Sequence, residues 1–205
     1  MGVGGNDPDQ ILRPPSPPEE YIPLGQCCTP VCEIFCFAKN TRMTILNNSN
    51  CFTKLANEIK RGDLVLTFDG RKKIFSKVIY NKENNGIFKF YVIKAGDKNV
   101  NLKIISVTGN HLMIIFDKEQ KNAKFKYASE LKIGDLLRTS DGLFEINEIS
   151  QKMMNNSYQI VVEKGTLLAN DILVSTIYLK DLDNNNNKQF IKLLESSKIP
   201  FEIKN

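Results

Sequence analysis

The chain has 205 residues, of which 41% are apolar and 25% are charged, and its formal net charge at pH 7 is +5. This length and composition are typical of one globular domain with short appendages. No uninterrupted apolar run exceeds five residues, which excludes a membrane-spanning helix, since such a helix needs about 20. The longest basic run is Arg71-Lys72-Lys73, so the net charge does not predict a nucleic-acid partner.

Residues 1–35 form an N-terminal segment that is rich in proline and acidic residues and contains a single arginine. The segment has too little apolar surface to bury, so we predict that it is disordered. It contains no apolar block of the kind that a secretory signal peptide needs, which makes the cytoplasm the default location. Gly2 follows the first methionine, but a myristoylation site needs Ser or Thr at the position that Asn6 occupies.

Cysteines are concentrated at the end of this segment. Four of the five, Cys27, Cys28, Cys32 and Cys36, lie within ten positions. An odd total without a signal peptide argues against a disulfide framework. Four thiolates could hold zinc, but structural zinc sites usually contain two separated cysteine pairs. A zinc site is therefore an alternative, and we predict no metal and no cofactor. Lipid attachment at Cys27, Cys28 or Cys32, with membrane binding only through that lipid, is an alternative.

Residues 36–179 have the pattern of an all-β domain. Runs rich in β-branched and aromatic residues cover 88–93, 102–107, 112–116 and 160–162. The pairs Asp69-Gly70, Asn85-Gly86 and Asp141-Gly142 are typical of turns between short strands. No long helical periodicity interrupts the pattern.

An internal repeat favours a core built from two related halves. Residues 55–70 align without gaps with residues 127–142, and nine of the sixteen positions are identical. Two copies are too few for a solenoid, which needs roughly three or more. We therefore predict one β-core that is closed about a pseudo-two-fold axis.

Residues 180–205 read as an asparagine-rich linker followed by a short helix. Four large apolar side chains recur at helical spacing before Pro200 ends the pattern: Phe190, Ile191, Leu193 and Leu194. We expect this helix to pack on the β-domain, and a helix that binds a partner or a membrane is the alternative.

Three side chains are candidates for a catalytic role. The single histidine, His111, follows Thr108 across a Gly109-Asn110 bend, which can bring a hydroxyl and an imidazole into one pocket. Cys36 lies where the N-terminal segment meets the β-domain, and its thiol could attack the carbonyl of its own preceding residue, Phe35. A histidine among apolar residues is also common as an ordinary core side chain, so both interpretations stay open at this point.

Six motifs follow one another along the chain: Cys36-Phe37 with Thr41, Gly62-Asp63-Leu64-Val65-Leu66, Phe90-Tyr91-Val92-Ile93, Thr108-x-x-His111-Leu112, Lys132-x-Gly134-Asp135 and Gly165-Thr166-Leu167-Leu168-Ala169-Asn170. Their order resembles that of Hint domains, and most of all that of the autoprocessing domains of Hedgehog proteins and their nematode relatives. The resemblance extends from Cys36 to about Ile177. It implies a compact all-β horseshoe of two related halves.

The resemblance also implies self-cleavage. Cys36 would be the nucleophile that converts the Phe35–Cys36 amide to a thioester. His111 would protonate or polarise the departing nitrogen, and Thr108 would hydrogen-bond and distort the scissile bond. Glu83, expected in a loop, would match the Hedgehog carboxylate that activates the thiol or the second nucleophile, with a solvated loop acid as the alternative. An unperturbed imidazole titrates near 6.5, so the rate should vary between about pH 5 and 8.

Departures from the family concern the second step. Inteins end in His-Asn, whereas the corresponding stretch here runs from Asn170 into Ser175 and Thr176, so we predict no protein splicing. Hedgehog domains have a cysteine at the position of Thr176 and a longer sterol-recognition region, so we do not expect a sterol acceptor. The expected substrate is the N-terminal segment of the same chain, without a folded signalling domain, and the expected acceptor is water or a small thiol.

Two other functions stay open at this level. A Hint-derived domain could be catalytically silent and act as a binding module, although Cys36, Thr108 and His111 together favour activity. A lipid-anchored adaptor would use the cysteines of the N-terminal segment.

Overall fold

The computed structural model describes residues 35–69, 72–97, 101–117 and 122–176. By its internal contacts the chain divides into two units, Met1–Cys32 and Glu33–Asn205, and every described residue belongs to the second. Apart from Phe35, which is buried, the N-terminal segment for which we predict disorder lies outside the described residues, as do the predicted linker and helix of residues 180–205.

The described residues form an antiparallel β-structure. Its strands are β1 (Arg42–Asn47), β2 (Asn50–Leu55), β3 (Leu64–Asp69), β4 (Lys72–Ala95), β5 (Lys103–Thr108), β6 (Leu112–Asp117), β7 (Asn122–Tyr127), β8 (Leu136–Thr139), β9 (Gly142–Val162), β10 (Thr166–Ala169) and β11 (Ile172–Ser175). Neighbouring strands follow the order β10-β1-β3-β4-β9-β8-β11-β6-β7, with β2 beside β1 and β5 beside β4. Helical structure in these residues is limited to two 3₁₀ turns, Ala56–Glu58 and Ala128–Glu130. The all-β prediction is confirmed.

The internal repeat has the same local structure in both halves. Each copy contains one of the 3₁₀ turns, then a Gly-Asp bend, then a strand, which is β3 in the first copy and β8 in the second. The aspartate of each bend makes an ion pair with a lysine from the preceding strand: Lys54 Nζ lies 2.8 Å from Asp63, and Lys126 Nζ lies 2.9 Å from Asp135. The matched contacts show that the repeat folds as two equivalent units.

The strands β4 and β9 are much longer than the short strands that the sequence predicts. They form one antiparallel ribbon, and the Asn85-Gly86 pair lies inside β4 instead of ending a strand. The register with β9 shifts between Asn84 and Ile87, where Gly86 has a φ of 135° and Asn156 on β9 has a φ of 58°. An Asn-Gly pair suits positive φ in a turn and in a β-bulge alike, so the pattern could not distinguish the two.

One apolar core joins the two halves. It contains buried side chains from most strands, including Met43, Ile45, Val65, Ile93, Ile105, Val107, Met113, Leu137, Ile146, Ile160 and Val174. Phe37, which follows the candidate nucleophile, is fully buried in the same core. The segment that carries Cys36 is therefore anchored in the core of the domain.

Candidate active site

The segment that carries Cys36 lies as a short extended piece between β5 and β9. Phe37 exchanges both backbone hydrogen bonds with Tyr158 of β9, at 2.8 and 2.9 Å. On the other side, Thr108 N of β5 donates to Cys36 O at 3.1 Å. The peptide bond between Phe35 and Cys36 is thereby held in a sheet-like position, and the side chains of both residues are buried.

Thr108 contacts the nitrogen of that peptide bond. Cys36 N donates a hydrogen bond to Thr108 Oγ1 at 2.9 Å. Since the backbone of Thr108 also binds Cys36 O, the two residues are joined through one backbone and one side-chain hydrogen bond. The hydroxyl is thus placed on the nitrogen that would leave in an N-to-S acyl shift.

His111 is placed by a tight turn after β5. Its N–H donates to Thr108 O at 3.0 Å, and Ala128 N donates to His111 O at 2.9 Å. Gly109 allows this turn to pack against β4, because a Cβ there would lie only 2.8 Å from Cε2 of Tyr91. In the other half, Thr41 occupies the equivalent position. Thr41 N donates to Ala38 O at 3.0 Å, and Thr41 O accepts from Ala56 N, at the start of the equivalent 3₁₀ turn, at 2.8 Å.

The imidazole of His111 is fully buried between two aromatic rings. Its centroid lies 5.6 Å from that of Phe35 and 4.6 Å from that of Phe37, both edge-to-face. Neither ring nitrogen makes a hydrogen bond of normal geometry with the described residues. Burial lowers the pKa of His111 to about 4. The backbone groups of Cys36 and Ser175 that face the ring raise this pKa, but they offset only part of the effect of burial. The ring is therefore neutral at pH 7, in contrast to the titration near 6.5 expected from the sequence.

The Cys36 thiol has polar neighbours that the sequence analysis did not identify. Asn84 Nδ2 lies 3.5 Å from Cys36 Sγ and donates to it. Burial raises the pKa of the Cys36 thiol to about 11, while Ser157, Asn84 and Lys82 act in the opposite direction. The thiol is consequently protonated at pH 7.

Glu83 is not placed at the thiol. It lies in β4 rather than in a loop, and it is the neighbour of Asn84, so the two side chains point to opposite faces of the strand. Glu83 Oε1 accepts hydrogen bonds from Tyr158 Oη at 2.7 Å and from Asn156 Nδ2 at 2.8 Å. Its described contacts therefore join β4 to β9 behind the site.

The predicted second-step residues lie at two places. Asn170 is in the turn between β10 and β11 with a φ of 48°, and its side chain bonds to Arg42 N at 2.6 Å and Ile104 O at 2.7 Å. Ser175 and Thr176 are buried at the end of β11. The Ser175 backbone faces His111, and Thr176 Oγ1 accepts from Val162 N at 3.3 Å. The structure thus brings Ser175 towards the imidazole and uses Asn170 to tie strands together.

The same described ranges contain no group of three or more His, Cys, Asp or Glu side chains placed to hold a metal ion. Cys27, Cys28 and Cys32, which the zinc and lipid alternatives need, lie outside these ranges. None of the helices within them is long and apolar enough to cross a membrane.

Asn84 and Ser157 were missed because their positions depend on strand register. The sequence signal for Asn84 was its place next to Glu83, one residue from the expected carboxylate. Ser157 ends the polar run Asn155-Asn156-Ser157, which reads from sequence as an exposed strand or a turn. Only the pairing of β4 with β9 brings both side chains to Cys36.

Comparison with known proteins gives one family and one fold. The family model for the Hint module matches residues 28–197. Comparison with curated proteins finds no match. The fold is similar to the crystal structure of the gp41-1 intein (22% identity, TM-score 0.53, covering 69% of this chain and 98% of that one).

Two further structures share this fold at lower identity. One is the solution structure of a bacterial intein-like domain from Clostridium thermocellum (19% identity, TM-score 0.52, 68% and 97% coverage). The other is the crystal structure of an intein from a hyperthermophile (11% identity, TM-score 0.59, 69% and 99% coverage). These matches show Hint and intein likeness, whereas the likeness to Hedgehog domains rests on the sequence motifs alone. Since the family model spans most of the sequence, the chain belongs to the Hint family, whose fold supports protein autoprocessing.

Proposed function

We propose that this domain cleaves its own chain once, between Phe35 and Cys36, through a thioester at Cys36. The observation that carries the proposal is the 2.9 Å hydrogen bond from Cys36 N to Thr108 Oγ1 beside a buried imidazole. A hydroxyl on the amide nitrogen and a histidine beside the same peptide bond form the constellation that an acyl shift requires.

The first step exchanges one bond for another. Cys36 Sγ loses its proton and forms a bond to the carbonyl carbon of Phe35, and the bond from that carbon to Cys36 N breaks. The nitrogen gains a proton and becomes a free amine, so the step is a net transfer of one proton from sulfur to nitrogen. In the second step water attacks the thioester carbonyl, which releases the Phe35 carboxylic acid and regenerates the thiol. A small thiol can take the place of water and gives a new thioester.

His111 acts in its neutral form in this scheme. A neutral imidazole has one donor nitrogen and one acceptor nitrogen, so it can pass a proton without itself becoming a stable cation. Its low pKa favours rapid release of any proton that it accepts. Thr108 Oγ1 holds the leaving nitrogen near the ring while the carbon–nitrogen bond breaks.

We infer that the second step involves neither splicing nor a sterol. Splicing by an intein mechanism needs a terminal asparagine side chain, and the residue that follows β11 is Thr176, whose hydroxyl accepts from Val162 N. A sterol needs a large apolar cleft, commonly some 300–1,000 Å³, and the four large apolar side chains at helical spacing within residues 180–205 do not favour one. We therefore propose water or a small thiol as the acceptor.

Incubation of the full chain with dithiothreitol tests the proposal. Wild type should release residues 1–35, and Cys36→Ala should stay intact, while Cys51→Ala, which removes an exposed thiol on β2, should cleave normally. Thr108→Val should cleave at least about tenfold more slowly, since it removes a hydrogen bond to the leaving nitrogen. Thr53→Val, at an exposed threonine, is the matched control. Equal rates for Cys36→Ala and wild type would refute the proposal.

A further inference from the structure

The Cys36 sulfur lies beside a pair of polar side chains that the proposed scheme leaves unused. Asn84 of β4 and Ser157 of β9 are directly opposite each other in the antiparallel register. Residues directly opposite on adjacent strands have side chains on the same face, close enough to share a neighbour. Here the shared neighbour is the thiol, to which Asn84 Nδ2 donates at 3.5 Å.

Ser157 has a hydroxyl without an evident structural use. Its side chain is fully buried, and Oγ makes no hydrogen bond of normal geometry with the described residues. A buried hydroxyl without a partner is costly, and such groups in native proteins commonly have a functional reason. The hydroxyl lies close enough to Cys36 to favour its ionised form.

We propose that Asn84 and Ser157 form a two-donor site that holds the Cys36 sulfur while it ionises and attacks, which rests on the proposed self-cleavage. In the resting chain the Ser157 hydroxyl can turn to accept from the thiol. As negative charge develops on sulfur, the same hydroxyl turns to donate, and Asn84 Nδ2 donates beside it. Hydrogen bonds to an ionised group are stronger than those to a neutral one, so the pair stabilises the thiolate more than the thiol.

One positive charge assists this pair. Lys82 is two residues before Asn84 on β4, so both side chains lie on the same face of the strand. Its charge lowers the pKa of Cys36, after the larger contributions of Ser157 and Asn84. His111, a further titratable group beside this segment, is neutral above about pH 4 and supplies no charge. Glu83 and Tyr158 are hydrogen-bonded to each other behind the site.

The bulge in the β4–β9 ribbon sets the position of the pair. Asn84 is the last residue before the register shifts, and Asn156, with positive φ, precedes Ser157. Asn156 Oδ1 accepts from Gly86 N at 3.4 Å, and its Nδ2 donates to Glu83 at 2.8 Å. The Glu83 carboxylate therefore helps to hold the bulge behind the site, while Asn84 and Ser157 lie on the strand face that is turned to the sulfur.

Cleavage rates of single variants test this site. Asn84→Ala and Ser157→Ala should each form the thioester about 10- to 100-fold more slowly at pH 7, since each removes a hydrogen bond to a developing charge. The rate should be measured at hydroxylamine concentrations that no longer affect it, so that the first step is observed. Asn155→Ala, an exposed asparagine on the same ribbon, should cleave like wild type. Ser157→Thr, which keeps the hydroxyl, should retain most of the rate.

A titration of the thiol separates this site from the proposed function. The full chain with His111→Gln and ¹³C-labelled cysteine Cβ allows the ionisation of Cys36 to be followed by NMR without cleavage. Asn84→Ala or Ser157→Ala should raise the Cys36 midpoint by about one pH unit, which is tenfold less thiolate at a given pH. An unchanged midpoint, or cleavage of both alanine variants within twofold of wild type, would overturn the two-donor site. Failure of wild type to cleave would overturn the proposed function, and the titration would still decide whether Asn84 and Ser157 stabilise the thiolate.

Discussion

Burial moves the ionisation of both candidate catalytic side chains away from neutral pH. The pKa of Cys36 rises to about 11 and that of His111 falls to about 4, because each charged form loses its hydration inside the core. At pH 7 the resting site therefore contains a thiol and a neutral imidazole. Reaction requires the sulfur to ionise at the moment of attack, which gives weight to each donor that lies next to it.

His111 should make the domain sensitive to acid. Its folded pKa of about 4 lies below the ordinary value near 6.5, so the unfolded chain binds the proton first as the pH falls. Stability should therefore decrease from about pH 6.5 to pH 4, by about 3 kcal/mol from this residue. Urea unfolding of wild type and His111→Gln at pH 7 and pH 4 measures the difference. An equal loss of stability in both proteins would show that His111 is not buried in neutral form.

The candidate reactive residues could be proposed from the sequence, whereas their environment could not. Cys36, Thr108 and His111 are recognisable because each stands in a motif with fixed spacing. The pKa of each depends on burial, which is set by aromatic neighbours from distant parts of the chain, such as Phe37 against His111. Burial therefore moves the titration of His111 below the unperturbed value near 6.5, and the expected variation of the rate between about pH 5 and 8 stays a prediction.

At the scale of structural elements, the two Gly-Asp bends provide an internal comparison. Asp63 and Asp135 each accept a hydrogen bond from the backbone N–H three residues earlier, at 2.8 and 2.9 Å, and each pairs with a partly buried lysine. Asp63→Ala and Asp135→Ala should each lower the free energy of unfolding by roughly 1–2 kcal/mol, since each removes charge-assisted hydrogen bonds. Chemical denaturation measures both values.

Asp69→Ala serves as the control for these variants. Its ion pair with Lys164 is longer, at 3.7 Å, and more exposed, so its loss should cost less than about 0.5 kcal/mol. A large loss in one repeat variant and none in the other would contradict the structural equivalence of the two bends.

The β4–β9 ribbon marks the limit of sequence-based prediction for elements. The runs at 88–93 and 160–162 were identified as strand, but the ribbon continues through Gly86 and through the polar residues near Asn156. Register across a bulge depends on the pairing of two strands, and it determines that Asn84 faces the thiol while Glu83 faces away. A shift of one residue along a strand exchanges the two faces.

At the scale of the whole domain, the pseudo-two-fold arrangement places unequal residues in equivalent positions. The turn that carries Thr108 and His111 in one half corresponds to the turn with Ala38 and Thr41 in the other. The backbone hydrogen bonds are the same, so the scaffold is shared, and Thr108 and His111 of one turn have Ala38 and Thr41 as their counterparts in the other. The repeat in the sequence predicted two related halves, while the placement of Cys36 between β5 and β9 required the folded structure.

Trapping with hydroxylamine, followed by intact mass spectrometry, tests the central claim most directly. Hydroxylamine cleaves a thioester and does not react with an ordinary peptide amide. The site of cleavage therefore shows which peptide bond was converted to a thioester. The account predicts two products from the full chain: residues 1–35 ending in a hydroxamate on Phe35, and a body that begins with the free amine of Cys36. A chain that stays at full mass under these conditions, with Cys36 intact and the fold retained, would contradict self-cleavage and favour a silent binding module.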